Sequence, residues 1–285
     1  MNNTLVVGDS HSDSLTPFSH IFNNFNIMTY HGTTLYGLLK KKEDILNQIK
    51  SNTYNQLIFV NGYVDINGAL LYVKYNGDTQ SIYKTLTKSI QNIMILCKEC
   101  KKIKPNIKIF ICNHIFNAYY DNPDILLYKY IIAVIITYMN QETPIHAKKI
   151  YKKFNSIKIS KTTNYKKYMK QYKFFINKYN INVNIIKTLI GEQRTYIPFF
   201  EKLLESNCKK NNIILINLNH CLKTITDSGH HSLMADKPFD HHYIWEILCI
   251  CLLTTIKSHL KIKNYSTIRT SLYKKYKEYI LTIKN

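Results

Sequence analysis

The chain has 285 residues, 45% of them hydrophobic, and carries 39 basic against 18 acidic side chains for a formal net charge of +21. That length buries one large core, with or without an added lobe, and that apolar content excludes wholesale disorder. Seven cysteines form no dense framework and the start Met1-Asn2-Asn3-Thr4 lacks the regions of a secretory signal, which predicts a reducing, cytoplasmic setting with free thiols.

In chain order, the first element is a strand. Thr4-Leu5-Val6-Val7 is an apolar run suited to a buried parallel strand, and Gly8 allows a sharp turn into Asp9-Ser10. A second strand is expected at 26–30, followed by a helix over 35–49 with Leu35, Leu38, Leu39, Ile45, Leu46 and Ile49 on one side. Gln56-Leu57-Ile58-Phe59-Val60 reads as a third strand ending at Asn61-Gly62. A long helix is expected over 79–101, with Pro105 marking its end, then a strand at 107–112 and a helix at 124–139.

Residues 143–187 differ in kind: rich in Lys, Asn and Tyr, poor in acids, and weaker in apolar pattern. They read as an insertion packed on the domain, or as a mobile basic flap, extending to about residue 190. A helix is expected over 192–210, a last strand at 213–216 and a final core helix at 243–259. Residues 1–260 thus form one domain, and 261–285 a basic tail. Five strands alternating with helices predict an α/β fold, a three-layer α/β/α sandwich around a parallel, flavodoxin-like sheet. The apolar stretches 125–139 and 245–256 fall short of the ~20 residues that a spanning helix needs, so no membrane span is expected.

The positive charge could steer nucleic acid, phosphorylated glycans or membrane surfaces. Its lysine dominance, together with heavy Asn, Ile and Tyr usage, reads first as the output of an AT-rich genome. A functional basic surface is the alternative.

Candidate chemistry gathers at strand ends, where open α/β sheets bind ligands. Gly8-Asp9-Ser10, His31-Gly32-Thr33-Thr34 and Asn61-Gly62-Tyr63-Val64-Asp65 each follow a predicted strand, and Asp240-His241-His242 leads into the final helix. A serine so placed, with a histidine in reach, is an activated nucleophile; the plainer reading is that Asp9 and Ser10 cap a turn. His11 either contacts substrate or faces solvent, and His114 is a candidate for the same edge. Cys97-Lys98-Glu99-Cys100 lacks a second pair at zinc spacing; the His230-His231 and His241-His242 pairs could bind metal with Asp227 or Asp240, but metal hydrolysis wants several ligands projected from rigid elements. No metal site is expected.

These blocks resemble the SGNH/GDSL hydrolase family over most of the chain except the basic insertion and the tail. Gly8-Asp9-Ser10 matches the first block and Gly32 the glycine of the second. Phe59-Val60-Asn61-Gly62-Tyr63-Val64-Asp65 looks like the third block in a Gly-x-Val-Asp variant seen in viral and microbial members. Lys237-Pro238-Phe239-Asp240-His241-His242, running into Trp245-Glu246, looks like the last block. The resemblance implies a serine esterase, with Ser10 as nucleophile, His242 as base, Asp240 orienting His242, and the N–H groups of Ser10 and Gly32 as oxyanion hole. Asp9, Asp65 and Asn61 would support the site loops.

Two departures stand out. Val64 occupies the position where the family's oxyanion asparagine usually stands, with Asn61 or Asn67 as possible replacements. Asp240 lies two residues before His242 instead of three, whereas Asp227 and His230 keep the usual spacing. His242 is preferred over His241, His230 and His231 because it directly precedes the final helix. The mechanism requires no metal or organic cofactor. The implied substrate is an acyl or acetyl ester of a carbohydrate or lipid. The competing readings are a catalytically silent member that binds a glycan or other ligand, and a basic protein that binds nucleic acid.

Overall fold

The computed structural model describes residues 3–13, 15, 24–62, 64–69, 82–114, 123–155, 165–218, 270 and 274. Five strands form one sheet: β1 (Asn3–Gly8), β2 (Asn24–Thr29), β3 (Gln56–Gly62), β4 (Lys108–His114) and β5 (Ile214–Asn217). All neighbours pair in parallel, in the order β2-β1-β3-β4-β5. The fold is α/β, with the flavodoxin-like strand order. Leu5, Val6 and Val7 of β1 and Leu57, Ile58, Phe59 and Val60 of β3 are all buried, which is why these segments read as continuous apolar runs.

The helices are α1 (Leu35–Leu38), α2 (Lys42–Ser51), α3 (Ile82–Ile103), α4 (Pro123–Glu142), α5 (Pro144–Asn155), α6 (Tyr165–Lys178) and α7 (Val183–Lys210). The connections from β2 to β3, β3 to β4 and β4 to β5 all step the same way across the sheet. Right-handed crossovers therefore place their helices on one face, and α1 and α2 touch α3 while α3 touches α7. The expected final helix at 243–259 and the bulk of the tail lie outside the described residues.

Several boundaries differ from the sequence expectation. The helix expected over 35–49 is two helices joined by a 3-10 turn at Leu39–Lys41. The apolar repeat runs on through that turn, so periodicity alone does not reveal the break. The helix expected from 192 begins at Val183, where the Asn182 side chain accepts from the Asn184 and Ile185 N–H groups at 3.1 Å. Gly191 and Pro198 look like breakers in sequence, yet Ile186, Leu189, Ile190, Tyr196, Phe200, Leu204 and Cys208 keep one buried stripe past both.

Within 143–187 the chain forms α5, α6 and the start of α7, and both α5 and α6 contact α4. Pro144 opens α5, where its missing N–H costs nothing. Buried tyrosines mark this packing, Tyr172 on α6 and Tyr128 and Tyr130 on α4, the helix that α5 and α6 contact. Because tyrosine is amphipathic, the apolar pattern there is faint in sequence.

Candidate active site

The site is built where β1, β2 and β3 end. Gly8 pairs with Thr29 on one side and Val60 on the other. A Cβ at Gly8 would lie 2.5 Å from the Val60 carbonyl oxygen and 2.9 Å from Ser12 Cβ, so only glycine fits. The chain then turns: Asp9 N–H donates to Val60 O at 3.3 Å, and residues 10–13 make a 3-10 turn. Ser10 opens that turn and is half-buried, just beyond the carboxyl end of a central strand.

Asp9 holds the turn from below. Its side chain is buried, and Oδ1 accepts from the His11 backbone N–H and faces His11 Nδ1, both at 2.9 Å. Facing a carboxylate, Nδ1 carries the proton and donates. The Asp9 carbonyl accepts from Ser12 N at 3.0 Å and Ser12 Oγ at 2.7 Å. Ser12 Oγ also lies 3.0 Å from Thr29 Oγ1, and Thr29 Oγ1 donates to Asp13 Oδ1. The Asp9 carboxylate thus holds His11 and the Asp9 carbonyl holds Ser12, the two residues that follow Ser10. His11 is buried rather than solvent-facing, which corrects one of its two sequence readings. Turn sequence alone cannot report which side of the turn a histidine takes.

The turn after β2 lies against this one, because Tyr30 N–H donates to Gly8 O at 2.8 Å. Thr33 N–H donates to Tyr30 O at 3.0 Å, and Gly32 closes the turn at φ +69, where glycine is favoured. The Thr34 side chain caps α1 by accepting from Gly37 N–H at 2.9 Å.

Asn61 and Asp65 tie that loop to β3. Asn61 Nδ2 donates to Thr33 O at 3.3 Å. Asp65 lies in the first turn of a π-helical segment at Val64–Ala69, which also contains Asn67. Asp65 Oδ2 accepts from Leu35 N–H, the first amide of α1, at 2.9 Å. Asp65 Oδ1 has no hydrogen-bond partner among the described residues. Burial raises the Asp65 carboxyl to about 7, and the charge of Asp9 pushes the same way. Leu35 N–H, the Ser89 side chain and Tyr36 N–H pull it down. Ser89 is the polar member of the buried stripe of α3.

Asn113 was not singled out in sequence. It pairs in register with Asn61 on β3 and with Asn217 on β5, so three neighbouring strands end in one row of asparagines. Asn113 is buried, and neither atom of its amide has a hydrogen-bond partner among the described residues. The available signal was the repeated ending of an apolar run in Asn, as in Phe59-Val60-Asn61 and Ile111-Cys112-Asn113. His114 pairs with Gly62 at the same edge. Among the described residues Cys97, Cys100, Cys112 and Cys208 are free and buried, and burial raises the pKa of each thiol, leaving them unreactive. Asp240, His241, His242, Asp227, His230 and His231 lie outside the described residues.

No family model and no curated protein matches the chain. Solved structures do resemble it. An acetylxylan esterase from Geobacillus stearothermophilus is 12% identical, with 90% of this chain and 94% of that chain covered and a TM-score of 0.44. An alpha/beta hydrolase enzyme from the metagenome of Lake Arreo, Spain, is 9% identical, with 90% and 95% covered and a TM-score of 0.45. An extracellular lipase from Streptomyces rimosus is 9% identical, with 90% and 100% covered and a TM-score of 0.44. The functional reading rests on the site's own residues rather than on these likenesses.

Proposed function

We propose that the chain is a serine hydrolase of the SGNH type that cleaves esters by acyl transfer. The observation that carries this reading is the placement of Ser10. It stands at the switch point of a parallel sheet, on a turn that Asp9 fixes through its carboxylate and its carbonyl, flanked by the loops that follow β2 and β3.

In this mechanism Ser10 Oγ attacks the ester carbonyl carbon while His242 takes its proton, and Asp240 orients His242. The N–H groups of Ser10 and Gly32 stabilise the tetrahedral oxyanion, each such donor being worth ~10²–10³ in rate. Collapse expels the alcohol, which receives the proton from His242. Water, deprotonated by His242, then attacks the acyl-serine and releases the acid. Asn61 and Asp65 act through the loop that bears Gly32: one holds the Thr33 carbonyl, the other the first amide of α1. Val64 supplies no side-chain donor, so the oxyanion hole in this reading rests on backbone amides. Acyl or acetyl esters of carbohydrates or lipids are the substrates proposed.

The test is labelling with a fluorophosphonate probe, comparing wild type with Ser10→Ala and His242→Ala. Labelling of wild type that both substitutions abolish supports the reading. A folded wild type that stays unlabelled while binding glycans would replace it with the silent binding module.

A further inference from the structure

Helices α5 and α6 carry a charge imbalance that ester hydrolysis does not use. From residue 143 to 191 the chain has twelve lysines and neither aspartate nor glutamate. The end of α4, the start of α5 and the end of α6 meet at one corner. Lys178 Nζ lies 2.5 Å from Glu142 Oε2, the Tyr179 hydroxyl donates to the same oxygen at 3.1 Å, and the Tyr138 and Tyr179 rings stack with centroids 5.5 Å apart. Among the described residues, the carboxylate seen at this corner, Glu142, is therefore already engaged by a lysine.

Ile145 follows Glu142 by three residues and Phe174 precedes Lys178 by one helical turn, so the Glu142–Lys178 pair brings both to this corner. Ile145 is 76% exposed and Phe174 68%, the most exposed large apolar side chains among the described residues. The Phe174 ring rests edge-on against Phe175, with centroids 5.3 Å apart. Lys148 and Lys149 on α5 and Lys170 and Lys173 on α6 are exposed as well.

Lysines alone fit any polyanion. The exposed Phe174 ring offers a face on which a base can stack, but the still more exposed Ile145 has none and gains nothing from a nucleic acid. A bilayer surface matches both features, offering anionic headgroups beside the start of the acyl region. We propose that this corner docks the chain on the surface of an anionic lipid bilayer, with Ile145 and Phe174 entering at the boundary between headgroups and acyl chains and the four lysines lying at headgroup level. The contact is peripheral: no helix among the described residues is long and apolar enough to cross a membrane. Each lysine near such a surface strengthens binding by about fivefold, and salt weakens that contribution.

The experiment is co-sedimentation of the full chain with phosphatidylcholine vesicles, with and without phosphatidylserine, at low and high salt. Wild type is expected to bind the vesicles that contain phosphatidylserine, and more weakly at high salt. The pair Ile145→Ser and Phe174→Ser should weaken that binding by about tenfold or more, with the melting temperature and Ser10 labelling unchanged. Lys148→Gln, Lys149→Gln, Lys170→Gln and Lys173→Gln together should remove the preference for phosphatidylserine. Three results would overturn the proposal. These are failure of wild type to bind either vesicle, vesicle binding that the apolar pair leaves intact, and tight oligonucleotide binding that depends on the four lysines but not on Ile145 and Phe174.

Discussion

Asp65 offers a direct test of the site's electrostatics. Its carboxyl is buried beneath the start of α1, and desolvation raises its pKa from the ordinary 3.8 to about 7. Between those values the folded chain holds a proton that the unfolded chain has released. Stability therefore falls as pH rises through that window and levels off above about 7. At 1.36 kcal/mol per pH unit, the loss due to this group between about pH 5 and about pH 8 is roughly 2–3 kcal/mol. That is a large share of the ~5–15 kcal/mol that ordinary domains possess.

Asp65→Asn keeps an oxygen to accept from Leu35 N–H and removes the ionisable group. Urea unfolding of both proteins across this pH range isolates Asp65, because the other titrating groups are common to both. The variant is expected to gain about 2–3 kcal/mol on wild type from pH 5 to pH 8 and to be the more stable protein at pH 8. A difference that is flat with pH, or that grows toward acid, would refute the reasoning. Either result would mean that Leu35 N–H, Ser89 and Tyr36 N–H outweigh desolvation and keep the carboxylate charged.

Other substitutions probe the remaining geometry. Gly8→Ala drives a Cβ to 2.5 Å from the Val60 carbonyl; it should cost about 1–3 kcal/mol or more and displace Ser10, read as a lower melting temperature and lost labelling. Gly191→Ala is the matched control: its Cβ meets nothing within 4 Å inside α7, so a gain of up to about 1 kcal/mol is expected with labelling unchanged. His11→Ala removes a donor from the buried Asp9 carboxylate, which should cost about 1–3 kcal/mol and slow labelling of Ser10. His11→Asn, which restores an N–H donor, should recover part of that rate. Asn113→Leu replaces an amide without partners by an apolar side chain of similar size; denaturant titration should show it neutral or more stable by about 1 kcal/mol. A markedly destabilised variant would show that the amide is hydrogen-bonded in solution.

What the chain's local pattern discloses is the set of short-range features. Runs such as Leu57-Ile58-Phe59-Val60 mark strands buried on both faces, and Gly8-Asp9-Ser10 marks a turn because its residue types suit no strand. The Ile82, Leu86, Ile90 and Ile93 spacing marks the long helix α3, and the alternation of strand and helix implies a parallel sheet. These features depend on neighbours a few residues apart, so they survive in a one-dimensional reading. Where local pattern is ambiguous, boundaries slip, as at the lysine-rich helices α5 and α6 and at Gly191 and Pro198 within α7.

Pairing and burial belong to the tertiary structure. The register that sets Asn61 beside Asn113 and Asn217 joins residues more than fifty positions apart. His11 turns inward to meet the Asp9 carboxylate, and what buries that pair is the packing of the turn against the sheet rather than the local sequence. Asp65 becomes a near-neutral titrating group only once α1 and α3 close over it and exclude water. Periodicity and turn chemistry are written along the chain, whereas desolvation and contact between distant strands exist only after it has folded.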